Sequence, residues 1–174
     1  MNEYTVSVMG GDRPGIVAAI TGALLGAGGN VENCRAGILA GSFAMVLAVE
    51  VPDWVSDQDI VDLLAPAASD LGLSLGVRPA APAHHGARGT RCVVSVYGGD
   101  RPGIVHGAAR ALADAGANIV DLSSRVTGDP PVYVLGIEVE VPEGMGAAQI
   151  TDALRTPDLA GLDISVQDES ERLL

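Results

Sequence analysis

Apolar residues recur along this chain in an order that appears twice. Residues 4–9 and 92–97 are short β-rich runs, and each is ended by two glycines. After each run the apolar residues are spaced by three and four, which predicts a helix. They are Ile16, Val17, Ile20, Ala23 and Leu24 in the first half, and Ile104, Val105, Ala108, Ala111 and Leu112 in the second. Pro14 and Pro102 sit where these helices could begin, because proline is tolerated in a first helical turn.

The first half continues with two β-rich runs, a second helical pattern and a last strand. Residues 31–40 and 43–51 are joined by Gly41-Ser42, which is typical of a hairpin. Residues 56–59, Ser-Asp-Gln-Asp, resemble a capped helix start. The last strand is predicted near residues 73–77.

The second half repeats this order. Its hairpin turn is predicted at residues 128–131, its second helix around 150–154 and its last strand at 163–167. The order βαββαβ, twice, predicts an α+β protein made of two ferredoxin-like units. In each unit two helices cover one face of a four-stranded antiparallel sheet.

Direct comparison of the halves shows an internal duplication. Residues 6–17 recur as residues 94–105 with eleven of twelve positions identical, and the offset of 88 grows to 90 further on. The chain therefore divides into a first domain at 1–78, a linker at 79–91 and a second domain at 92–174. The linker holds basic residues and no acid, so it is interpreted as a solvated tether or as a docking segment for a partner.

Composition excludes several classes of function. The chain has 22 acidic residues against ten Arg and no Lys, for a net charge of −12, yet 48% of it is hydrophobic. A disordered acidic tail, Schiff-base chemistry and a phosphate-binding P-loop are excluded, and direct nucleic-acid binding is not expected. No signal peptide or membrane span is evident, so a cytoplasmic location is expected. Cys34 and Cys92 indicate neither a disulfide framework nor a zinc site, and Cys34 is predicted to be a core residue.

The repeated glycine-rich turn is the best candidate for chemistry. Glycines allow close backbone approach, and the helix that follows offers unpaired N–H groups that suit a carboxylate. An Asp beside those donors suits an ammonium group, so the pair matches a zwitterion better than a phosphate. The candidate residues are Gly11, Asp12 and Gly15 in the first copy, and Gly99, Asp100 and Gly103 in the second. The alternative is that each Asp is only a helix N-cap.

Two further positions are retained in both copies. Asn30 and Asn118 stand where the chain enters the second strand, followed by Val31 and Ile119. The alternative interpretation of each Asn is a left-handed turn residue after glycine.

Catalytic, metal-binding and cofactor-binding residues are not predicted. His84 and His85 lie in the linker, where a solvated pair is favoured over a metal site because no third ligand is suitably spaced. His106 has no counterpart in the first copy, so no catalytic pair repeats.

The segment 11–17, Gly-Asp-Arg-Pro-Gly-Ile-Val, with Asn30-Val31 thirteen residues later, resembles an ACT domain. The resemblance covers nearly the whole chain as a tandem pair, and residues 12–17, 30–35 and 41–45 are similar to the glycine cleavage system transcriptional repressor family. It implies that an amino-acid effector is held between paired domains by the ten candidate residues above. Serine-binding relatives carry a His two residues before the Asp, where this chain has Gly10 and Gly98.

The resemblance leads to a functional expectation. The chain is expected to be a non-catalytic regulator that binds a small amino acid, glycine or serine-like, and forms a homodimer. It would act on a protein partner, either a transcription activator or, alternatively, an enzyme of amino-acid metabolism. Neither direct nucleic-acid contact nor membrane association is expected.

Overall fold

The computed structural model describes residues 1–81 and 90–169, which form two compact units. Most of the predicted linker lies outside the described residues, and so do His84 and His85. Each unit contains one four-stranded antiparallel sheet and two α-helices in the order βαββαβ, which confirms the predicted fold class.

In the first unit the first strand is central in the sheet and the last strand lies at an edge. Its elements are β1 (Asn2–Gly11), α1 (Ile16–Gly26), β2 (Asn30–Leu39), β3 (Ser42–Val51), α2 (Asp57–Leu71) and β4 (Leu73–Pro79). The strand order is β2-β3-β1-β4, and neighbouring strands are antiparallel. Because β1 and β2 are both antiparallel to β3, they run in the same direction. Helix α1 therefore returns the chain to the opposite end of the sheet before β2 begins.

The second unit has the same topology with a shorter second helix. Its elements are β5 (Arg91–Gly98), α3 (Ile104–Asp114), β6 (Asn118–Thr127), β7 (Val132–Glu140), α4 (Ala147–Ala153) and β8 (Asp163–Asp168), in the order β6-β7-β5-β8. Helix α4 has seven residues where α2 has fifteen, and a 3-10 helix follows at Pro157–Leu159. Thr156 is extended, as expected of a residue before proline, so the α-helix cannot continue through it.

Each sheet buries one face under its helices because apolar and polar residues alternate along the central strands. In β1, Val6 and Val8 are buried, whereas Thr5 is half-buried and Ser7 is exposed. The helices close the first core with Ile16, Ile20, Leu24, Ile60 and Leu64, and the second with Ile104, Ala108, Leu112, Ile150 and Leu154.

The hairpin turns explain why the offset between the copies grows from 88 to 90. The first hairpin turns at Ala40 and Gly41, with φ of 49° and 78°. The predicted turn at Gly41-Ser42 was wrong by one residue, because a two-residue turn of this type needs positive φ at both positions. The second hairpin turns over four residues between Thr127 and Val132, two more than the first.

The helix starts differ between the copies. Helix α2 begins with the predicted capping box: the Asp59 amide donates to Ser56 Oγ at 3.2 Å, and the Ser56 amide donates to Asp59 Oδ2 at 2.8 Å. In α4 the N-cap is Gly146, which has no side chain to offer. There the Ala147 amide donates to Asp168 Oδ1 at 3.1 Å, so a residue of β8 caps the helix.

Candidate functional site

Two glycine loops, residues 10–15 and 98–103, join the first strand of each unit to its first helix. The Asp12 amide donates to the Gly41 carbonyl at 3.0 Å, which ties the first loop to the β2–β3 hairpin. A Cβ on the second glycine of either loop would meet no atom within 4 Å. The predicted residues in these loops are all exposed: Gly11, Asp12, Gly15, Gly99, Asp100 and Gly103.

The first glycine of each loop lies close to the residue that begins or precedes the last strand. A Cβ at Gly10 would lie 2.7 Å from Leu73 Cδ2 and 2.9 Å from the Gly72 carbonyl oxygen. At Gly98 the close atom is the end of the Leu162 side chain, which can rotate away. A side chain such as histidine is therefore opposed by the backbone at position 10, but only by a movable side chain at position 98.

The loop aspartates do not cap the helices, so the alternative interpretation of Asp12 and Asp100 was wrong. The N-cap residues are Gly15 and Gly103, with φ of 96° and 97°, and neither helix has a side-chain cap bond. The predicted helix start at Pro14 is likewise two residues early, since α1 begins at Ile16. The first-turn N–H groups of α1 and α3 therefore have no side-chain cap, and the exposed Asp12 and Asp100 lie three residues before the N-cap glycines.

The structure does not bring Asn30 to the glycine loop of its own unit. Gly11 pairs with Ser42 at one end of β3, whereas Asn30 pairs with Glu50, eight residues further along. At ~3.3 Å per strand residue the separation is about 25 Å. In the second unit Asn118 likewise lies at the end opposite the loop.

Neither Asn is a left-handed turn residue, so that alternative was also wrong. Among the described residues the only non-glycine with positive φ is Ala40. Asn30 opens β2, and its Nδ2 donates to Glu32 Oε1 at 2.8 Å. Val31 and Ile119 are half-buried and their side chains pack against the cores.

The two glycine loops differ in what their arginines do. Arg101 Nη2 donates to the carbonyls of Asp158 and Ala160, at 3.0 and 2.8 Å. Within the described residues the equivalent Arg13 makes no such bond. The bonds accompany the 3-10 helix of the second unit, which brings the Asp158 and Ala160 carbonyls to Arg101; in this part of the first unit the chain forms one longer helix, α2, instead. The sequence carried one signal for this difference, the proline at position 157.

Of two surface depressions, one lies on the sheet of the first unit and the other adjoins the glycine loop of the second. The first, of about 430 Å³, is lined by residues of β1, β2 and β3, including Thr5, Asn33 and Val46. The second, of about 480 Å³, surrounds the 3-10 helix of the second unit, and its lining includes Ala160, whose carbonyl accepts a hydrogen bond from Arg101 of the loop. Neither is lined by a predicted ligand-binding residue, so neither forms an enclosed pocket for the candidate site.

The cysteines have opposite environments. Cys34 is exposed, which contradicts the predicted core position, because it lies on β2 at the sheet edge beyond the cover of α1. Cys92 is buried and its Sγ donates to Asp168 Oδ1 at 3.2 Å. Burial, assisted by this hydrogen bond and the nearby negative charge, raises the pKa of Cys92 to about 12. A thiol with such a pKa is a poor nucleophile.

Residues 1–81 and 90–169 contain no group of three His, Cys, Asp or Glu side chains that could hold a metal ion. Across the same residues, no helix is both long and apolar enough to cross a bilayer. His106 is exposed on α3.

Comparison with known proteins shows the family. The ACT domain family matches residues 4–78 and, separately, residues 93–156. The chain belongs to the ACT-domain family. The predicted tandem of ACT domains is confirmed.

Two solved structures share the whole tandem. A protein of unknown function from Galdieria sulphuraria is 30% identical, with a TM-score of 0.84 over 96% of this chain and 98% of that one. A protein assigned as a glycine cleavage system transcriptional repressor is 19% identical, with a TM-score of 0.70 over 96% of each chain. The second likeness is one of fold. A UPF0237 protein of Methanopyrus kandleri is 35% identical over 80 residues, which are 46% of this chain and 89% of that protein.

Proposed function

We propose that this tandem ACT protein binds a small amino acid at its glycine loops and passes its occupancy to a protein partner. The observation that carries the proposal is the pair of exposed loops in which an Asp that caps no helix lies three residues before helix N–H groups that no side chain caps. The amides match a carboxylate and the Asp matches an ammonium group. The loop is also kept intact in both copies while the surrounding sequence differs.

The ligand class follows from charge and size. A phosphate would be repelled by Asp12 or Asp100, whereas a zwitterion is matched at both ends. Gly10 and Gly98 provide no side chain that could add a further hydrogen bond to the ligand. A small amino acid, glycine or serine-like, fits these features best.

A second ACT domain completes the site in this proposal. The loop and the Asn are about 25 Å apart within one unit, so a single domain offers a ligand only one of the two. A homodimer whose ACT domains run in opposite directions would place Asn30 of one protomer beside Asp12 of the other. The ligand would then favour the paired arrangement by its differential affinity, typically ~1 to 3 kcal/mol.

Regulation through a partner agrees with the charge of the chain. At −12 with no Lys, the protein can hardly neutralise DNA phosphates, so a repressor role would operate through a DNA-binding activator. We expect no duplex binding at physiological salt, and salt-sensitive sub-micromolar binding would contradict this route. Co-purification of a metabolic enzyme instead of an activator would favour the alternative, a regulatory subunit in the cytoplasm. Neither role requires catalysis.

Calorimetry with glycine and serine tests the ligand site. Asp12→Asn and Asp100→Asn should each weaken binding about ten-fold to a hundred-fold, since a charge-assisted hydrogen bond contributes ~1.5 to 3 kcal/mol. We expect the first loop to be the stronger site, because Arg101 is engaged elsewhere while Arg13 is not. Asp62→Asn, an exposed change in the middle of α2, is the matched control. Unchanged affinity in both loop variants would refute the site.

A further inference from the structure

An exposed tryptophan stands at the end of the first unit that holds Asn30. Trp54 is the only Trp of the chain, it is 83% exposed, and it lies in the turn between β3 and α2. Tryptophan is enriched among the residues that dominate binding at protein interfaces. A side chain of this size in solvent therefore needs an explanation.

The fold of the turn does not explain the exposed tryptophan, because the second unit forms the same turn without an aromatic residue. In the turn at 52–55 the amide of residue 55 donates to the carbonyl of residue 52 at 2.9 Å, and in the turn at 142–145 the equivalent hydrogen bond is 3.1 Å long. Gly144 stands in the second turn where Trp54 stands in the first. The indole is thus dispensable for the turn that carries it.

Hydrogen bonds hold the backbone of the turn that carries Trp54 in place. Asn2 Nδ2 donates to the Asp53 carbonyl at 3.1 Å, and Tyr4 donates its hydroxyl hydrogen to the Val55 carbonyl at 3.3 Å. The capping box of α2 begins at the next residue. A side chain presented from such a pinned turn loses little further entropy on binding.

Other apolar residues are exposed at the same end. Leu25 is 73% exposed near the end of α1, and Met1 is 62% exposed. The chain leaving α1 meets the turn, since a Cβ at Gly28 would lie 3.5 Å from Pro52 Cγ. Trp54, Leu25 and Met1 together are called the Trp54 surface.

Acidic residues outnumber basic groups at this end of the first unit. Glu3, Glu50, Asp53, Asp57 and Asp59 lie in the strand ends, the turn and the first turn of α2 around Trp54, and the Met1 amino group and Arg78 of β4 lie at the same end. Asp53 pairs with the amino group of Met1, and the other acids add to the negative field of a chain at −12. Arginine both neutralises such a field and stacks on an indole face.

We propose that the Trp54 surface docks a basic, amphipathic segment of another protein, with an Arg stacked on Trp54 and apolar side chains against its neighbours. The inference goes beyond the amino-acid site, because it uses none of the ligand-binding residues. A partner that contacts DNA would carry the required positive charge.

The test uses the full-length protein at about 150 mM salt, where loose electrostatic attraction is screened. The probe is an 18-residue amphipathic helical peptide of Leu and Arg, and the comparison peptide has every Leu replaced by Ala at equal charge. Fluorescence anisotropy of labelled peptides gives affinities for the wild type, for Trp54→Ala and for the control Tyr97→Ala, a partly exposed aromatic of the second unit. Acrylamide quenching reports the cover of Trp54 in the wild type without any mutation.

We expect Trp54→Ala to weaken the Leu–Arg peptide about 30-fold, Tyr97→Ala to change affinity less than two-fold, and the peptide to protect Trp54 from acrylamide. Equal binding by wild type and Trp54→Ala, or equal binding of the Ala–Arg peptide, would overturn the proposal. A wild-type dimer that dissociates in the Trp54→Ala variant would also overturn the proposal, because a second copy of this chain would then cover the Trp54 surface. Calorimetry with glycine separates the two proposals: Trp54→Ala should retain amino-acid binding, and Asp12→Asn should retain peptide binding.

Discussion

Replacing Arg101 by alanine should destabilise the second unit, whereas the same change at Arg13 should not. The two arginines occupy the same place in identical loops, so the pair is a matched comparison. Arg101 makes two hydrogen bonds to backbone carbonyls next to the 3-10 helix, and Arg13 makes none of this kind within the described residues. Any difference between the variants therefore reports on those bonds rather than on the loss of a charge.

The expected loss is modest because both ends of the contact are exposed. A hydrogen bond from a charged donor contributes ~1.5 to 3 kcal/mol when its partners cannot be rehydrated. Here water can replace the guanidinium at both carbonyls, so we expect about 1 to 2 kcal/mol in total. For a domain of this size that corresponds to a fall in Tm of roughly 5 to 10 °C.

Thermal unfolding can assign the loss to one unit. Circular dichroism follows both units, and the fluorescence of Trp54 follows the first alone. Arg101→Ala should lower the transition seen by dichroism and leave the Trp54 transition in place. Hydrogen exchange should also accelerate in residues 157–162. Equal shifts for Arg13→Ala and Arg101→Ala, or no shift for Arg101→Ala, would refute the assigned role.

Three further predictions rest on single contacts. At pH 8 iodoacetamide should label Cys34 only, because burial raises the pKa of Cys92 to about 12; two labels on the native protein by mass spectrometry would contradict this. The hydrogen bonds at the start of α2 lower the pKa of Asp59, so its carboxylate stabilises the fold above its unfolded pKa and loses that effect as pH falls through the folded value. Asp59→Asn should accordingly lower Tm at about pH 7 and hardly at about pH 2; a difference that is independent of pH would argue against the bond. Gly15→Ala should cost ~1 to 2 kcal/mol in urea unfolding because φ is 96°, while Gly11→Ala, at an open site, should cost almost nothing; equal costs would exclude backbone strain as the cause.

The architecture of each unit could be predicted from local patterns. Alternation along β1 and spacing by three and four along α1 both follow from burial of one side, which the sequence records directly. The capping box at Ser56 and Asp59 involves residues three apart, so it too could be found without tertiary information. Because the sequence is duplicated, each predicted element is supported by a similar pattern in the other half of the chain.

Features that depend on neighbours in space were missed. Cys34 was predicted to be a core residue because the second copy has Leu122 in its place, but β2 lies at the sheet edge and Cys34 is exposed. Apolar content cannot say which strand takes the edge, because strand order is set by pairing between distant residues. The sequence position of Asp12 is compatible with a helix N-cap. In the structure the N-cap is Gly15, in the left-handed conformation, and the helix begins after it.

The arrangement of the candidate site is likewise a product of tertiary structure. The candidate ligand-binding residues can be recognised from the sequence alone. They are Asp12 and Asp100 in the two loops, and Asn30 and Asn118 at the starts of two strands. Strand register decided that a loop and its Asn stand at opposite ends of one sheet, because β1 and β2 run the same way and α1 spans the sheet between them. Long-range packing also places backbone carbonyls within hydrogen-bond distance of Arg101, whereas the identical Arg13 makes no such bond within the described residues. A short motif specifies the backbone conformation of its own residues. The groups that contact its side chains come from parts of the chain that are distant in sequence.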